Sequence, residues 1–469
     1  MQLLVFVVLA FLWQVSAHSM RRIRRDDAPK PLSPIHDPFY VPPKGWDTTK
    51  PGTILATRTI QAGFTQTQRI NLEAAYQILY RTSGTDPSIP SYTVTTVLVP
   101  QNARKNKLVM IMPYQDSNFV ECNPSYKIQL GAPPEVNVIQ SVEELMWTSV
   151  LNDGWIVTIP DHEGPTAAFS SGYLEGYASL DAVRATLNFD KLQMDPKSPV
   201  VGTGYSGGAI AGGWAASLLE SYAPDINMAG WAIGGTPSNS SATFYGLDGG
   251  LFAGFAAAGI AGIVGSYPKA NDYVGSVITP EGNGALQFTR EHCMGEIIAG
   301  LKNVKITSTG FMKNANRFLE ADGIQGLLNM LSMGADPKLT PKVPIYMYHA
   351  TNDEVIMFPM ANQTATLWCQ NGANIQFQEY TGLEMGHVST EILNTPFVLK
   401  FIRERMDGKP FIQGCQWQST INPMWQPDIL GAKLTEVFNS ILNFFGTTVG
   451  RGDQILKETI SNGTFGSTF

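Results

Sequence analysis

PVVGTGYSGGAIAGGWAASLLESY, residues 199–222, joins a short apolar run to a small-residue helix through a glycine turn that carries one serine. Val200 and Val201 predict a buried strand running into Gly202 and Thr203. Gly204-Tyr205-Ser206-Gly207-Gly208 fits the pattern G-x-S-x-G. A helix starting near Ala209 then sets Ile210, Trp214, Leu218 and Leu219 on one face at spacings of three and four. Glycines flank Ser206 because side chains there would press on the neighbouring strand and helix. Such a turn exposes the Ser206 hydroxyl as a nucleophile and aims the Gly207 amide at the space where an oxyanion would form. In a chain with 45 glycines the five-residue pattern is a weak signal, and its strand–turn–helix setting carries the weight.

Around this unit the chain alternates strands and helices. Tyr92–Val99 alternates as a half-buried strand, Leu108–Met112 is a short buried run, and Trp155–Ile159 is a third strand. A helix near 172–190 has Tyr173, Tyr177, Leu180 and Leu187 on one face. After the serine unit come Met228–Ile233, then Pro344–Tyr348 and Ile375–Tyr380 as the last two strands, and Pro396–Met406 as a closing helix. This rhythm predicts an α/β class with a mostly parallel sheet covered on both faces. It stops between Gly235 and Pro344, a span far too long for an ordinary connection. The apolar, nearly uncharged run Leu251–Val264 within it predicts a largely helical cap above the carboxyl edge of the sheet, where ligands of such sheets bind. The competing reading is a core helix of a second domain. Seven prolines in residues 28–52 suggest an extended surface arm.

The chain has 469 residues, 43 % of them hydrophobic and 15 % charged, with a net charge of −7. No Lys/Arg-rich patch follows residue 30, which argues against nucleic acid as a partner and builds in no attraction to anionic lipid. MQLLVFVVLAFLWQVSA at the start ends in Val15-Ser16-Ala17, the pattern of a signal peptide covering residues 1–17. That run is short for a membrane span, and no integral membrane segment is expected in the mature chain. Arg21-Arg22-Ile23-Arg24-Arg25 reads as a processing site within a propeptide at 18–25, or as a solvated charge run. Secretion would make Cys122, Cys293, Cys369 and Cys415 two disulfides, with three pairings open. A metal site is the competing use, but the spacings are long and no histidine cluster accompanies them. Asn239, Asn362 and Asn462 head glycosylation acceptor triplets that agree with secretion.

A serine hydroxyl needs a base to take its proton. His36, His162, His292, His349 and His387 are available in the mature chain, and chain order separates them. Where a nucleophile sits on such an elbow, the acid and then the histidine follow it on late strands. Asp353 follows the strand of IYMYHATND and His387 lies in the next loop, GLEMGHVSTE. Asp353 would hold the imidazole tautomer and stabilise the imidazolium. His349 precedes the aspartate and reads as a satisfied core or edge histidine. His162, ahead of the serine, reads as a loop-ordering group. Glu354, next to the acid, is expected to point the other way. A second oxyanion donor should come from the loop PYQDSNFVEC after Leu108–Met112, and losing one donor costs about 3 kcal/mol of transition-state stabilisation. Nothing in the sequence calls for a metal or a cofactor.

These segments, together with DPFY, ECNPSY, IPDHEGPTAAFSSGYLEGYASLDAVRA and YHATNDEVI, make the chain resemble the fungal secretory lipases. That family is typified by Candida antarctica lipase A and the secreted lipases of Candida and Malassezia yeasts. The resemblance spans about residues 37–415. It implies an α/β-hydrolase fold with an inserted cap, and an extracellular triacylglycerol lipase using Ser206, Asp353 and His387. It also implies an oxyanion hole from the backbone amides of Asp116 and Gly207, and disulfides Cys122–Cys293 and Cys369–Cys415. On this reading residues 26–235 and 344–415 form the core, 236–343 the cap and 416–469 a C-terminal flap or tail. In that tail Leu434, Val437, Phe438, Ile441, Leu442 and Phe445 form an amphipathic face that would pack on the core, cover an acyl tunnel or meet lipid. The expected substrates are long-chain lipid esters at an oil–water interface, handled by a monomer. Alternatives on the same residues are a broad carboxylesterase, a phospholipase or an acyltransferase. A hydrolase-like binding protein with an idle site is the reading from another class.

Overall fold

Ten strands form one sheet in a computed structural model that describes residues 30–133, 138–315, 319–383 and 385–422. In chain order they are β1 (Ile54–Thr59), β2 (Ala74–Ser83), β3 (Pro90–Val99), β4 (Arg104–Met112) and β5 (Trp155–Pro160). Then come β6 (Val200–Tyr205), β7 (Met228–Gly234), β8 (Ile345–Ala350), β9 (Ile375–Tyr380) and β10 (Cys415–Thr420). Their spatial order is β1-β2-β3-β5-β4-β6-β7-β8-β9-β10. The first three run antiparallel at one edge, and every pairing from β5 to β10 is parallel.

Parallel strands need crossovers that cover the sheet, so its middle is buried on both faces. Helices α1 (Val138–Asn152) and α11 (His387–Met406) cover one face. On the other lie α2 (Gly172–Leu187), α3 (Gly207–Tyr222) and α10 (Phe358–Gln370). Every residue of β5, β6 and β8 is buried, which is why these strands read as unbroken apolar runs rather than alternating ones. Each fully buried aliphatic or aromatic side chain here is worth about 1.5–3 kcal/mol.

Between β7 and β8 the chain leaves the sheet and forms α4 (Ser240–Leu247), α5 (Ala253–Ser266), α6 (Pro268–Val277), α7 (Pro280–Thr289), α8 (Met294–Gly300) and α9 (Asp322–Met330). Most of α5 is buried, with Ala256, Ala257 and Ala258 fully so. Its small residues let neighbours approach closely, since a Cβ at Gly254 would strike Ile297 and one at Gly259 would strike Phe244.

Several elements depart from the sequence expectation. Ile375–Tyr380 is not the last strand, because β10 pairs with it in parallel, and a core boundary at 415 would cut that strand at its first residue. The closing helix starts at His387 rather than Pro396, which sits inside it. The serine helix starts at Gly207, two residues before Ala209. The proline-rich arm holds two 3-10 turns, Pro38–Tyr40 and Trp46–Thr48, rather than one extended run. The signal, propeptide and tail-helix segments, with Asn462, lie outside the described residues.

Candidate active site

Ser206 is the pivot between β6 and α3, with φ 51° and ψ −120°. A non-glycine residue with that φ is strained by about 1–3 kcal/mol, held by what surrounds it. The glycines of the motif make the turn possible. A Cβ at Gly204 would strike the carbonyl of Gly208, and one at Gly208 would strike that of Met112. The Ser206 amide donates to the Gly234 carbonyl at 3.0 Å, pinning the elbow to the neighbouring strand.

The structure brings Ser206, His387 and Asp353 together across 181 and 34 positions of chain. His387 Nε2 lies 2.8 Å from Ser206 Oγ, and its Nδ1 lies 2.7 Å from Asp353 Oδ2. The other oxygen, Asp353 Oδ1, accepts the amides of Val355 at 2.9 Å and Ile356 at 2.7 Å. Burial alone would raise the Asp353 carboxyl. The charge on His387 and hydrogen bonds from His349 and His387 outweigh it and hold the carboxyl well below the usual range. The acid is therefore ionised at any working pH.

Two neighbours differ from their expected roles. Glu354 does not point away, since its Oε2 accepts the backbone amide of His387 at 3.2 Å. His349 is buried, as expected of a core histidine, yet its Nε2 lies 3.2 Å from Asp353 Oδ2 as well as 2.9 Å from the Ile356 carbonyl. Sequence reasoning missed Tyr205, whose hydroxyl donates to the His387 carbonyl at 2.7 Å and whose ring lies 5.0 Å from the imidazole. Its position beside Ser206 was the only available signal. Gly235 was missed too. It has φ +52°, and a Cβ there would come within 2.8 Å of His387 Cε1 and 2.6 Å of the Tyr205 ring.

The Gly207 amide opens α3, where the helix dipole favours negative charge. Facing it is the loop after β4, in which Asp116 has φ 51°. A Cβ at Gly207 would collide with the Asp116 carboxyl, so the two segments are in contact. Burial pushes that carboxyl up to about 7, against the pull of His387. The Asp116 amide faces the carboxyl of Glu163, which burial and the charges of Glu175 and Asp116 drive well up. The loop is well anchored. His162 Nε2 donates to the Pro113 carbonyl at 2.7 Å, the role of a loop-ordering group, and Glu143 Oε1 accepts the Tyr114 amide at 3.0 Å. The disulfide Cys122–Cys293 ties the loop to the residues between α7 and α8. Nearby, Ser117 Oγ donates to the His292 carbonyl at 2.7 Å and Asn118 N to the Thr289 carbonyl at 3.0 Å.

A cavity of about 30 Å³ lies over Ser206, roofed by Phe252 and Phe255 at the start of α5 and by Met294 and Ile298 of α8, with Val355 and Val388 beside His387. That volume is on the order of one water molecule. Elsewhere, Cys369–Cys415 joins α10 to β10. Asn239 caps α4, accepting the Ala242 amide at 2.9 Å, and Asn362 lies within α10, accepting Trp417 Nε1 at 2.9 Å. Neither acceptor is in an exposed loop. No described helix is long and apolar enough to cross a membrane.

Comparison with known proteins extends this geometry. Residues 128–414 match the family described as secretory lipase. The chain is 70 % identical to secreted triacylglycerol lipase LIP5 of Malassezia globosa over 97 % of its own length and 95 % of the relative's. It is 45 % identical to secreted triacylglycerol lipase LIP3 of Malassezia restricta, covering 92 % of each. Among solved structures it is similar to Candida antarctica lipase A in its closed state, with a TM-score of 0.79 and 29 % identity, over 88 % of this chain and 96 % of that one.

Proposed function

The chain belongs to the secretory lipase family, and from that premise we propose that it cleaves triacylglycerols through Ser206, His387 and Asp353. It is a secreted triacylglycerol lipase, a carboxylic ester hydrolase of the α/β-hydrolase type. The observation that carries the residue assignment is the pair of contacts on one imidazole, 2.8 Å to Ser206 Oγ and 2.7 Å to Asp353 Oδ2.

His387 Nε2 takes the hydroxyl proton as Ser206 Oγ attacks the ester carbonyl. Asp353 holds the Nδ1 proton in place and balances the imidazolium. The amides of Gly207 and Asp116 receive the oxyanion. The imidazolium then gives its proton to the departing glycerol oxygen, leaving an acyl group on Ser206. Water, deprotonated by the same Nε2, releases the fatty acid and restores the hydroxyl. The division of the chain into a core of 26–235 and 344–415, extended by β10, and a cap of 236–343 is part of this reading. The roof of Phe252, Phe255, Met294 and Ile298 suits long acyl chains met at an oil–water interface. Every group used comes from one chain, so a monomer suffices.

Ser206→Ala should lose at least about 10⁴-fold in ester turnover without a change in melting temperature. Fluorophosphonate should label the wild-type protein at Ser206 and leave the variant unlabelled. Turnover on esters of rising acyl length should increase towards long chains. Retained hydrolysis by Ser206→Ala would sink the assignment.

A further inference from the structure

Two imidazoles meet on one oxygen of Asp353. His349, the fifth residue of β8, is 1 % exposed and sets its ring edge-on to Phe358, with centroids 5.9 Å apart. Its Nε2 lies 2.9 Å from the Ile356 carbonyl. A carbonyl only accepts, so this nitrogen carries the proton. The same N–H lies 3.2 Å from Asp353 Oδ2, the oxygen that also receives His387 Nδ1 at 2.7 Å.

We propose that His349 is a positioning residue of the reaction, holding the Asp353 carboxylate aimed at His387. The inference rests on the reading of Ser206, His387 and Asp353 given above. With the Val355 and Ile356 amides on Oδ1 and the two imidazoles on Oδ2, each carboxylate oxygen has two partners, which restrains rotation of the carboxylate. That matters when His387 becomes charged, because a carboxylate free to turn stabilises the imidazolium less. His349 also ties the strand to Ile356, whose neighbour Val355 walls the cavity over Ser206. A packing histidine would need the carbonyl alone and would not share its N–H with this carboxylate.

The test compares His349→Phe and His349→Gln, each also in an Asp353→Asn background, on a soluble short-chain ester. His349→Phe should lower kcat by about 20- to 100-fold with KM within about twofold. It should also move the acid limb of the pH–kcat/KM profile to lower pH by about half a unit or more. His349→Gln keeps an N–H donor and should recover to within about fivefold of wild type. In the Asp353→Asn background the Phe substitution should cost less than about threefold more, since its route of action is gone.

A folded His349→Phe protein with near-wild-type kcat and an unmoved acid limb overturns the proposal. So does an equal loss in the Phe and Gln variants with no movement of the limb. If the Phe variant fails to fold, the Gln variant decides: recovery supports the proposal, and a folded Gln protein down by more than about 20-fold overturns it. If both fail to fold, the residue only packs and the proposal falls. Failure of the underlying assignment looks different, since wild-type Ser206 would then resist fluorophosphonate whatever stands at 349.

Discussion

The carboxylate of Glu354 accepts the backbone amide of His387, so two consecutive acidic residues grip one histidine, Asp353 by the ring and Glu354 by the main chain. His387 is the first residue of α11, and its amide is one of the donors that a helix start leaves unpaired. The adjacent Gly386 amide is taken by Ser389 Oγ at 2.9 Å. Glu354→Ala should cost about 1 kcal/mol of stability and roughly tenfold in kcat, because the imidazole is held less firmly. Glu354→Gln keeps an acceptor and should fall between Ala and wild type. Melting curves and turnover measure both, and an Ala variant with wild-type values would remove Glu354 from the machinery.

Gly235 has φ +52° and its missing side chain is where the rings of Tyr205 and His387 stand. Gly235→Ala should displace the imidazole and cost on the order of 10²-fold in kcat. Gly265, near the end of α5, has open space around it. There Gly265→Ala should leave turnover unchanged and add up to about 1 kcal/mol of stability. Equal activity of the two variants would mean that the crowding at Gly235 does not bear on the site.

The two disulfides should separate stability from activity. Cys122–Cys293 spans 171 positions and Cys369–Cys415 spans 46, so chain entropy assigns them about 5 and about 4 kcal/mol respectively. Replacing either pair by alanine should lower the melting temperature. Loss of Cys122–Cys293 should also lower kcat severalfold, because the loop carrying Asp116 would be less firmly held. Loss of Cys369–Cys415 should leave kcat of the folded protein unchanged. A kcat loss confined to the second pair would contradict this division.

Burial raises several carboxyls, with Asp116 and Asp161 pushed up to about 7, Asp181 to about 6 and Glu144 to about 8. Each binds its proton more tightly in the folded chain than in the unfolded one. Their contribution to stability is therefore complete below about pH 4 and fades as the pH climbs through 6 to 8. Asp353, held low, contributes in the opposite sense and loses its part only in strong acid. The protein should thus melt several degrees lower at pH 8 than at pH 5, and unfolding near pH 6 should release protons. Calorimetry in buffers of different ionisation enthalpy would show that release. A melting temperature that is flat or rises between pH 5 and pH 8 would refute the assignment of neutral buried carboxyls.

The elbow was legible because its information is local. Glycines at 204, 207 and 208, an apolar run before them and a helical period after them define strand, turn and helix within 24 residues. Chain order then pointed to Asp353 and His387. Other features were hidden because local rules were overridden by packing. Pro396 reads as the start of a helix, but α11 buries residues on both sides of it, and that burial offsets the hydrogen bond the proline cannot make. The strand β10 has mostly exposed side chains and no apolar signature, so only its pairing with β9 reveals it. Glu354 was expected to point away from Asp353, but both lie past the end of β8, where the alternation of side chains along a strand no longer holds.

Residue types, their order and their periodicity were thus enough to predict the class of sheet, the serine elbow, and Asp353 and His387 as the residues that would meet it. Which nitrogen faces which oxygen was decided by folding alone. The second imidazole on Asp353, the carboxylate on the His387 amide and the apolar roof over Ser206 each join segments that share no local pattern. They meet because a twisted parallel sheet delivers the ends of distant strands to one edge.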